Sequence, residues 1–169
     1  IDCALLYRRS RLHLEESFPV HIRDSAGVTL ATRDILVARF DSLTVMVNHH
    51  PSKIGGKSDR RLAAFSRMEA VADSLLAAGA ERIVSVGDFN DDLWHSGGHG
   101  TIKYNGKWEK IDGHFTYGQV SVREDVFDDL PLLTRDKVFG GLKPRRTFVG
   151  PKYEGGLSDH LPVALMVTF

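Results

Sequence analysis

The sequence contains many short apolar runs and a single long stretch with a helical pattern, and this imbalance limits the folds open to it. The pattern predicts a sheet-rich α/β domain in which one helix covers a sheet face. The run 43–49 is nearly all apolar, so we expect a buried central strand there. It is joined to a strand at 34–40 across Asp41 and Ser42.

The helix is predicted from about Asp59 to Ala78, with Ser58 as its N-cap and Gly79 at its end. The segment from Asp91 to Lys107 is rich in Gly and His and is predicted to be a loop. The apolar anchors predicted for the helix are Leu62, Phe65, Val71, Leu75 and Leu76. The remaining strands are predicted at 3–8 and 11–18 as a hairpin, at 82–86, near 108–117, at 145–148, and at the end of the chain.

Composition narrows the classes of function. The chain has 169 residues, enough for one domain with a sizeable core, and 42% of them are hydrophobic. Its formal net charge of +0 argues against a protein that coats nucleic acid without specificity. The single cysteine, Cys3, excludes an internal disulfide and fits neither a zinc site nor a redox pair. No apolar run approaches the ~20 residues that span a bilayer, so stable membrane insertion is not expected.

Polar groups lie at the ends of three of the apolar strands, where strand-end loops often build active sites. These groups are the runs 48–51 (NHHP), 87–92 (GDFNDD) and 158–160 (SDH). Hydrolysis of a phosphate ester needs an oxygen-ligated cation, a group that aligns water, and donors for the developing negative charge. Carboxylate and amide oxygens suit Mg²⁺ or Ca²⁺ better than zinc.

Each motif alone also has a structural interpretation. Gly-Asp-x-Asn is a common turn, and Asp-His before a strand can be a cap or a surface pair. A histidine at a strand end, such as His49, is more often a core residue than a catalytic one. The order of all three motifs in one chain favours the hydrolase.

The motifs together resemble those of the endonuclease/exonuclease/phosphatase superfamily, and the resemblance spans nearly the whole chain. The segments that carry it are Asn48-His49-His50-Pro51-Ser52, Gly87-Asp88-Phe89-Asn90-Asp91, Ile111-Asp112 and Ser158-Asp159-His160-Leu161-Pro162-Val163. The stretches NHHPSKIGGKSDRR and PRRTFVGPKYEGGLSDHLPV look closest to bacterial, often exported, members of unassigned substrate. A secreted or periplasmic location is therefore expected.

The resemblance implies a four-layer α/β sandwich, with two mainly antiparallel sheets flanked by helices and the site at one edge. It also implies roles for individual residues. His160 would contact the scissile phosphate, and Asp112 would pair with His160. Asp88 would orient the attacking water, Asn90 would stabilise the pentavalent phosphorus, and His49 would contact phosphate with Asn48 beside it. Asp159 would bind the metal together with Asp88 and Asn90. The implied cofactor is Mg²⁺, with Mn²⁺ or Ca²⁺ as alternatives.

Substrate contacts are assigned to two basic clusters, an arginine and an aromatic residue. If the clusters rim the site, they would hold an anionic phosphoester such as a nucleic acid, a phospholipid headgroup or a sugar phosphate. For the basic residues an ordinary surface role is the alternative, and for Trp94 the alternative is a loop anchor packed on the domain. The residues are Arg33, Lys53, Lys57, Arg60, Arg61, Lys143, Arg145, Arg146, Lys152 and Trp94.

The chain also departs from the superfamily pattern. Members have an upstream strand ending in Asn and a glutamate that is the principal metal ligand, and both would precede Ile1. We therefore expect residues 1–169 to be the C-terminal two-thirds of a single domain that lacks its N-terminal partner segment. Such a fragment should bind Mg²⁺ weakly. The alternatives to a hydrolase are a catalytically silent anion- or protein-binding module and an inactive fragment of the enzyme.

Overall fold

The computed structural model describes residues 3–53, 58–93 and 99–169, which form a mixed α/β fold with several sheets and one α-helix, α1, Ser58–Ala77. The predicted fold class is therefore confirmed. The strands are β1 Leu14–Val20, β2 Ile35–Phe40, β3 Thr44–His49, β4 Arg82–Asp88, β5 Ile102–Tyr104, β6 Lys107–Glu109, β7 Asp112–Gly118, β8 Ser121–Val126, β9 Leu133–Arg135, β10 Leu142–Pro144, β11 Phe148–Val149, β12 Lys152–Tyr153 and β13 Val163–Thr168.

The chain divides into two compact units. The first consists of residues 1–90, 113–122 and 167–169, and the second of 91–112 and 123–166. The main sheet of the first unit has the strand order β1-β2-β3-β4-β7. β3 lies at its centre, as its apolar sequence predicts. β1, β2 and β3 pair antiparallel, whereas β3 and β4 run parallel. The carboxyl ends of β3 and β4 therefore lie side by side.

Helix α1 packs on this sheet through small and flexible side chains. Ala64, Met68 and Ala72 are almost completely buried, and the Ser85 hydroxyl of β4 lies 3.0 Å from the Met68 sulfur. Small residues let the helix approach the sheet closely, and a methionine fills the irregular space that remains. Gly79, at φ +96°, ends the helix as predicted. Leu62, predicted to be an anchor, is instead 68% exposed.

The second unit contains short two-stranded ribbons, namely β5–β6, β9–β10 and β11–β12, and β8 pairs with β13. The predicted 91–107 loop was partly wrong, since 102–104 forms β5 and pairs with β6. The turn at Asn105 and Gly106 has positive φ at both residues, which matches the twist of a tight hairpin. This turn signal is present in the sequence.

Two further strand predictions were wrong. Residues 3–8 form no strand: the Arg8 carbonyl accepts the N–H groups of Arg11 and Leu12, and the Tyr7 ring packs edge-on against Phe40 at 5.1 Å. That segment is held by side-chain packing, while β1 pairs with β2. The predicted strand at 145–148 is interrupted, and only Phe148 of it is in a strand, β11. No helix in the described part of the chain is long and apolar enough to cross a membrane.

Candidate active site

His49 and Asp88 lie at the ends of the parallel strands β3 and β4, where they are register partners. His49 Nε2 is 3.5 Å from Asp88 Oδ2, and both side chains are largely shielded from solvent. Parallel pairing brings the two ends to one sheet edge without a crossing loop. The two strands thus bring an imidazole and a carboxylate together at one edge of the sheet.

Gly87 makes this pairing possible. A Cβ at this position would lie 2.0 Å from the backbone oxygen of Asn48, and φ is +141°. Only glycine adopts this conformation readily and permits such a close approach. The first residue of the GDFN motif is thus required by the backbone.

The turn after Asp88 is locked by hydrogen bonds. The Asn90 N–H donates to Asp88 Oδ1 at 2.8 Å, and Asn90 itself has φ +50°, which asparagine tolerates. Asn90 Nδ2 donates to the His50 carbonyl at 2.9 Å, and the His50 N–H donates to the Asp88 carbonyl at 2.8 Å. The carboxylate and the amide are thus held in a fixed relation by the backbone of His50, which directly follows β3.

An aromatic cluster supports the turn from below. Phe89 is fully buried, and its ring lies 5.1 Å from His50, 4.9 Å from Phe115 and 5.9 Å from Phe65. The edge-on contacts are the favourable geometry for such rings. His50 is fully buried in this cluster. Phe89 anchors the turn, so Asp88 and Asn90 on either side of it are directed away from the core.

Asn48, predicted to contact substrate, is buried beneath the strand ends. Its Nδ2 donates to Ser85 Oγ at 2.7 Å and to the carbonyls of Met46 and Val86, each at 3.2 Å. Its Oδ1 is buried and has no hydrogen-bond partner among the residues described. The hydrogen bonds made by this side chain join β3 to β4.

In the second unit, Asp112 and His160 form a hydrogen-bonded pair. His160 Nδ1 lies 2.8 Å from Asp112 Oδ2, and the side chains are 25% and 20% exposed. The expected pairing is therefore confirmed. A carboxylate on Nδ1 fixes that nitrogen as the protonated one and sets the orientation of the ring.

Thr101, which sequence reasoning missed, ties together the segments that carry this pair. Its buried hydroxyl accepts the N–H groups of Ile111 and Asp112 at 3.1 and 3.2 Å, and its carbonyl accepts the Leu161 N–H at 2.7 Å. Ile111 and Leu161 are themselves buried. No local sequence signal marks Thr101, because its three partners are distant along the chain.

Asp159, the predicted metal ligand, is half-exposed next to His160. Arg146 Nη2 lies 3.9 Å from its Oδ2, a distance compatible with an ion pair. The Ser158 hydroxyl accepts the His160 N–H at 3.0 Å, which forms a tight turn over Asp159. The side chain is accessible to a cation.

Comparison with known proteins decides the family. The family model described as "Endonuclease/Exonuclease/phosphatase family" matches residues 1–115, which is more than half of the chain and includes the motifs around His49, Asp88 and Asp112. The chain belongs to the endonuclease/exonuclease/phosphatase family. No curated protein matches its sequence.

Several solved structures have a similar fold. Truncated TDP2 from Caenorhabditis elegans is similar at 16% identity with a TM-score of 0.57, over 92% of this chain and 66% of that one. The mannosyl-6-phosphatase of Bacteroides thetaiotaomicron has 20% identity and a TM-score of 0.58, over 96% of this chain and 69% of that one. TDP2 from D. rerio, solved with a single-strand DNA product, has 16% identity and a TM-score of 0.58, over 96% and 70%. This chain spans less than two thirds of the first of these.

Enzymes of the endonuclease/exonuclease/phosphatase family generally depend on a divalent metal, and the donor chemistry of the first unit fits one. Asp88 supplies a partly shielded carboxylate. Asn90 Nδ2 donates a hydrogen bond to the His50 carbonyl, whereas Asn90 Oδ1 accepts no hydrogen bond from the residues described. Hard oxygen ligands of this kind suit Mg²⁺ or Ca²⁺.

The other predicted substrate contacts lie in several places. Arg33 is partly buried in the bend before β2, and Lys53 is exposed after β3. Arg145 is exposed, and its Nε donates to the Glu154 carbonyl at 3.2 Å. Trp94 and Lys57 fall outside the described residues. The structure thus groups His49, Asp88 and Asn90 in one unit, and Asp112, Asp159 and His160 in the other.

Proposed function

We propose that this protein is a divalent-metal-dependent hydrolase of phosphate esters. Family membership supports this class of reaction, and the observation that carries it is the Asp112–His160 pair. A structural role does not require a partly exposed imidazole whose ring is oriented by a carboxylate. An imidazolium in that position would donate a hydrogen bond to a phosphate oxygen.

The reaction would proceed by in-line attack of water on phosphorus. A bond forms between the water oxygen and phosphorus while the bond from phosphorus to the leaving alcohol oxygen breaks. The water proton passes to the Asp88 carboxylate, and the leaving oxygen takes a proton from solvent. Asp88 suits this role because the Asn90 N–H holds its Oδ1 in place, and its Oδ2 lies 3.5 Å from His49 Nε2 at the same strand ends.

Charge on the phosphate rises during the attack, and hydrogen-bond donors that are already in place stabilise it best. His160 would supply one such donor, and His49 a second. Asn90 would stabilise the five-coordinate phosphorus, and Asp159 would hold the metal with Asp88 and Asn90. The metal, when bound, neutralises phosphate charge and polarises the bond to phosphorus.

The class of substrate is a further part of the proposal. Two structural neighbours point in different directions, since one is named as a sugar phosphatase and another was solved with a DNA product. At such low sequence identity, neither activity is assigned to this chain. A phosphomonoester and a phosphodiester are therefore tested in parallel.

The test is hydrolysis of bis-(p-nitrophenyl) phosphate, plasmid DNA and a phosphomonoester, each with Mg²⁺ and with EDTA. Because the relatives are longer, this chain and the product of the complete gene are assayed side by side. His160→Ala should abolish metal-dependent turnover. His21→Ala is the matched control, since His21 also contacts a carboxylate at 2.8 Å, that of Asp34, but lies 55% exposed outside the motifs.

Activity that disappears in His160→Ala and survives in His21→Ala supports the hydrolase. Equal rates in wild type and His160→Ala would overturn the assignment. Silence of both proteins on all substrates would favour a module that binds anions or proteins without turnover.

A further inference from the structure

A cavity in the second unit adjoins the Ser158–Asp159–His160 turn. Its volume is about 220 Å³, and Asp159 forms part of its wall. At about 30 Å³ per water molecule, that space corresponds to roughly seven waters. It can hold one ring-sized group but not a length of polymer.

The wall of the cavity is built before any ligand arrives. Lys103 Nζ lies 3.1 Å from Asp136 Oδ2 and donates to the Gly140 carbonyl at 2.6 Å, and both side chains are almost completely buried. Asp136 Oδ1 also accepts the N–H groups of Val138 and Phe139. These contacts fix the 136–141 loop against the β5–β6 ribbon.

The Asp136 carboxyl is ionised at neutral pH. The hydrogen bond from the Phe139 N–H, followed by that from Lys103, lowers the pKa of this carboxyl to about 2 against the opposing effect of burial. The Lys103–Asp136 pair is therefore internally neutral. This pair holds the cavity wall in place and does not itself bind a ligand.

Two other cationic side chains in the cavity wall have a positive charge that no close ion pair neutralises. No carboxylate among the described residues lies within ion-pair distance of Lys143, and Arg146 faces only Asp159, at 3.9 Å. A metal bound at Asp159 would leave Arg146 without that partner. The cavity therefore has a positive side next to the proposed reaction centre.

Apolar and aromatic side chains also line the cavity. Tyr104, Phe139 and Val149 are each about half exposed, and Phe139 lies so close to Gly106 that a Cβ there would be 3.0 Å from its ring. Such surfaces stack against the flat face of a sugar or a base. The combination suits a ring that carries an anion.

We propose that this cavity is the subsite for the alcohol part of the substrate, and that it selects esters whose alcohol is a single sugar ring bearing a second phosphate. The proposal rests on the hydrolase proposed above. Lys143 and Arg146 bind the second phosphate, while Tyr104 and Phe139 cover the ring. Asp159 lines the subsite and precedes His160, so the scissile phosphate lies at the mouth of the cavity.

The test compares matched pairs of substrates in the complete protein. Fructose bisphosphate is compared with fructose monophosphate, and adenosine bisphosphate, with a phosphate on each side of the ribose, with adenosine monophosphate. We expect kcat/KM to favour the bisphosphate at least about tenfold, mainly through KM. A larger preference in the adenosine pair would show that the aromatic residues bind a base. A larger preference in the fructose pair would show that they bind a sugar.

Lys143→Gln should remove most of this preference by lowering kcat/KM for the bisphosphate about tenfold, with a smaller effect on the monophosphate. Lys107→Gln is the control, because Lys107 is an exposed lysine of the same unit that does not line the cavity. Monophosphate hydrolysis without any bisphosphate preference, or a preference that Lys143→Gln leaves intact, would overturn the subsite but not the hydrolase.

Calorimetric titration of the same bisphosphates separates the two proposals when no turnover is seen. Binding that weakens about tenfold in Lys143→Gln and not in Lys107→Gln would retain the subsite and reject the hydrolase. Equal binding of bisphosphates and monophosphates would reject the subsite.

Discussion

His49 and Asp88 are register partners at the ends of two parallel strands, with His49 Nε2 3.5 Å from Asp88 Oδ2. They are 39 positions apart, the difference between their residue numbers, and α1 fills most of the intervening chain. Parallel pairing of β3 and β4 requires such a crossover. The helix that connects the strands is therefore also what brings the two side chains to one edge.

Gly87→Ala should destabilise the first unit by at least about 3 kcal/mol, because the strain at its φ adds to overlap with the Asn48 carbonyl. Urea unfolding measures this change. Gly27→Ala is the matched control: Gly27 also has positive φ, but a Cβ there meets nothing within 4 Å, so about 1 kcal/mol is expected. Similar losses in the two variants would show that the close approach at Gly87 is unimportant.

Thr101→Val should destabilise the protein by about 1–3 kcal/mol, because the buried N–H groups of Ile111 and Asp112 lose their acceptor. Thr101→Ser keeps the hydroxyl and should recover most of that stability. The comparison is made by thermal unfolding. If the serine variant were as unstable as the valine variant, the methyl contact rather than the hydroxyl would matter.

Asp112→Asn should lower turnover by about 10- to 100-fold, as is common when the partner of a functional histidine is changed. The amide removes the negative charge beside His160 and can present its N–H to Nδ1, which favours the wrong tautomer. Long-range ¹H–¹⁵N spectra of the imidazole report the tautomer directly. Asp128→Asn is the control, since Asp128 holds His99 in a similar pair at 2.9 Å. An unchanged His160 tautomer together with wild-type turnover would contradict this positioning role.

Tyr117 should ionise late in a pH titration. Burial first, and then the negative charges of Glu69 and Asp73, together raise the pKa of its phenol to about 12. Because the folded pKa lies above the ordinary value of 10.0, the contribution to stability is complete below pH 10 and is lost as the pH rises toward 12.

Ultraviolet difference absorbance of the phenolate follows this titration, and Tyr117→Phe identifies the signal. Glu69→Gln should move the transition to lower pH, because one of the neighbouring negative charges is removed. A transition of Tyr117 near the ordinary tyrosine value in the folded protein would show that the phenol is not shielded.

The sequence by itself determined the central strand, the length of the helix and the three motifs. The apolar run at the centre of β3 reflects a strand in which every residue is buried or partly buried, and helix signals such as Gly79 are local. The order of the NHHP, GDFN and SDH motifs also indicated the family. These features depend on neighbouring residues, so they can be read without knowing the fold.

Only the tertiary structure decided which residues those motifs contact. Asn48 is drawn inward by Ser85, and His50 is enclosed by Phe65 and Phe89, although both residues lie within a motif. Thr101 supports Asp112 although nothing in its own segment indicates that role. Hydrogen bonds and packing between distant segments depend on strand register and on side-chain direction, and neither is encoded in a short stretch of sequence.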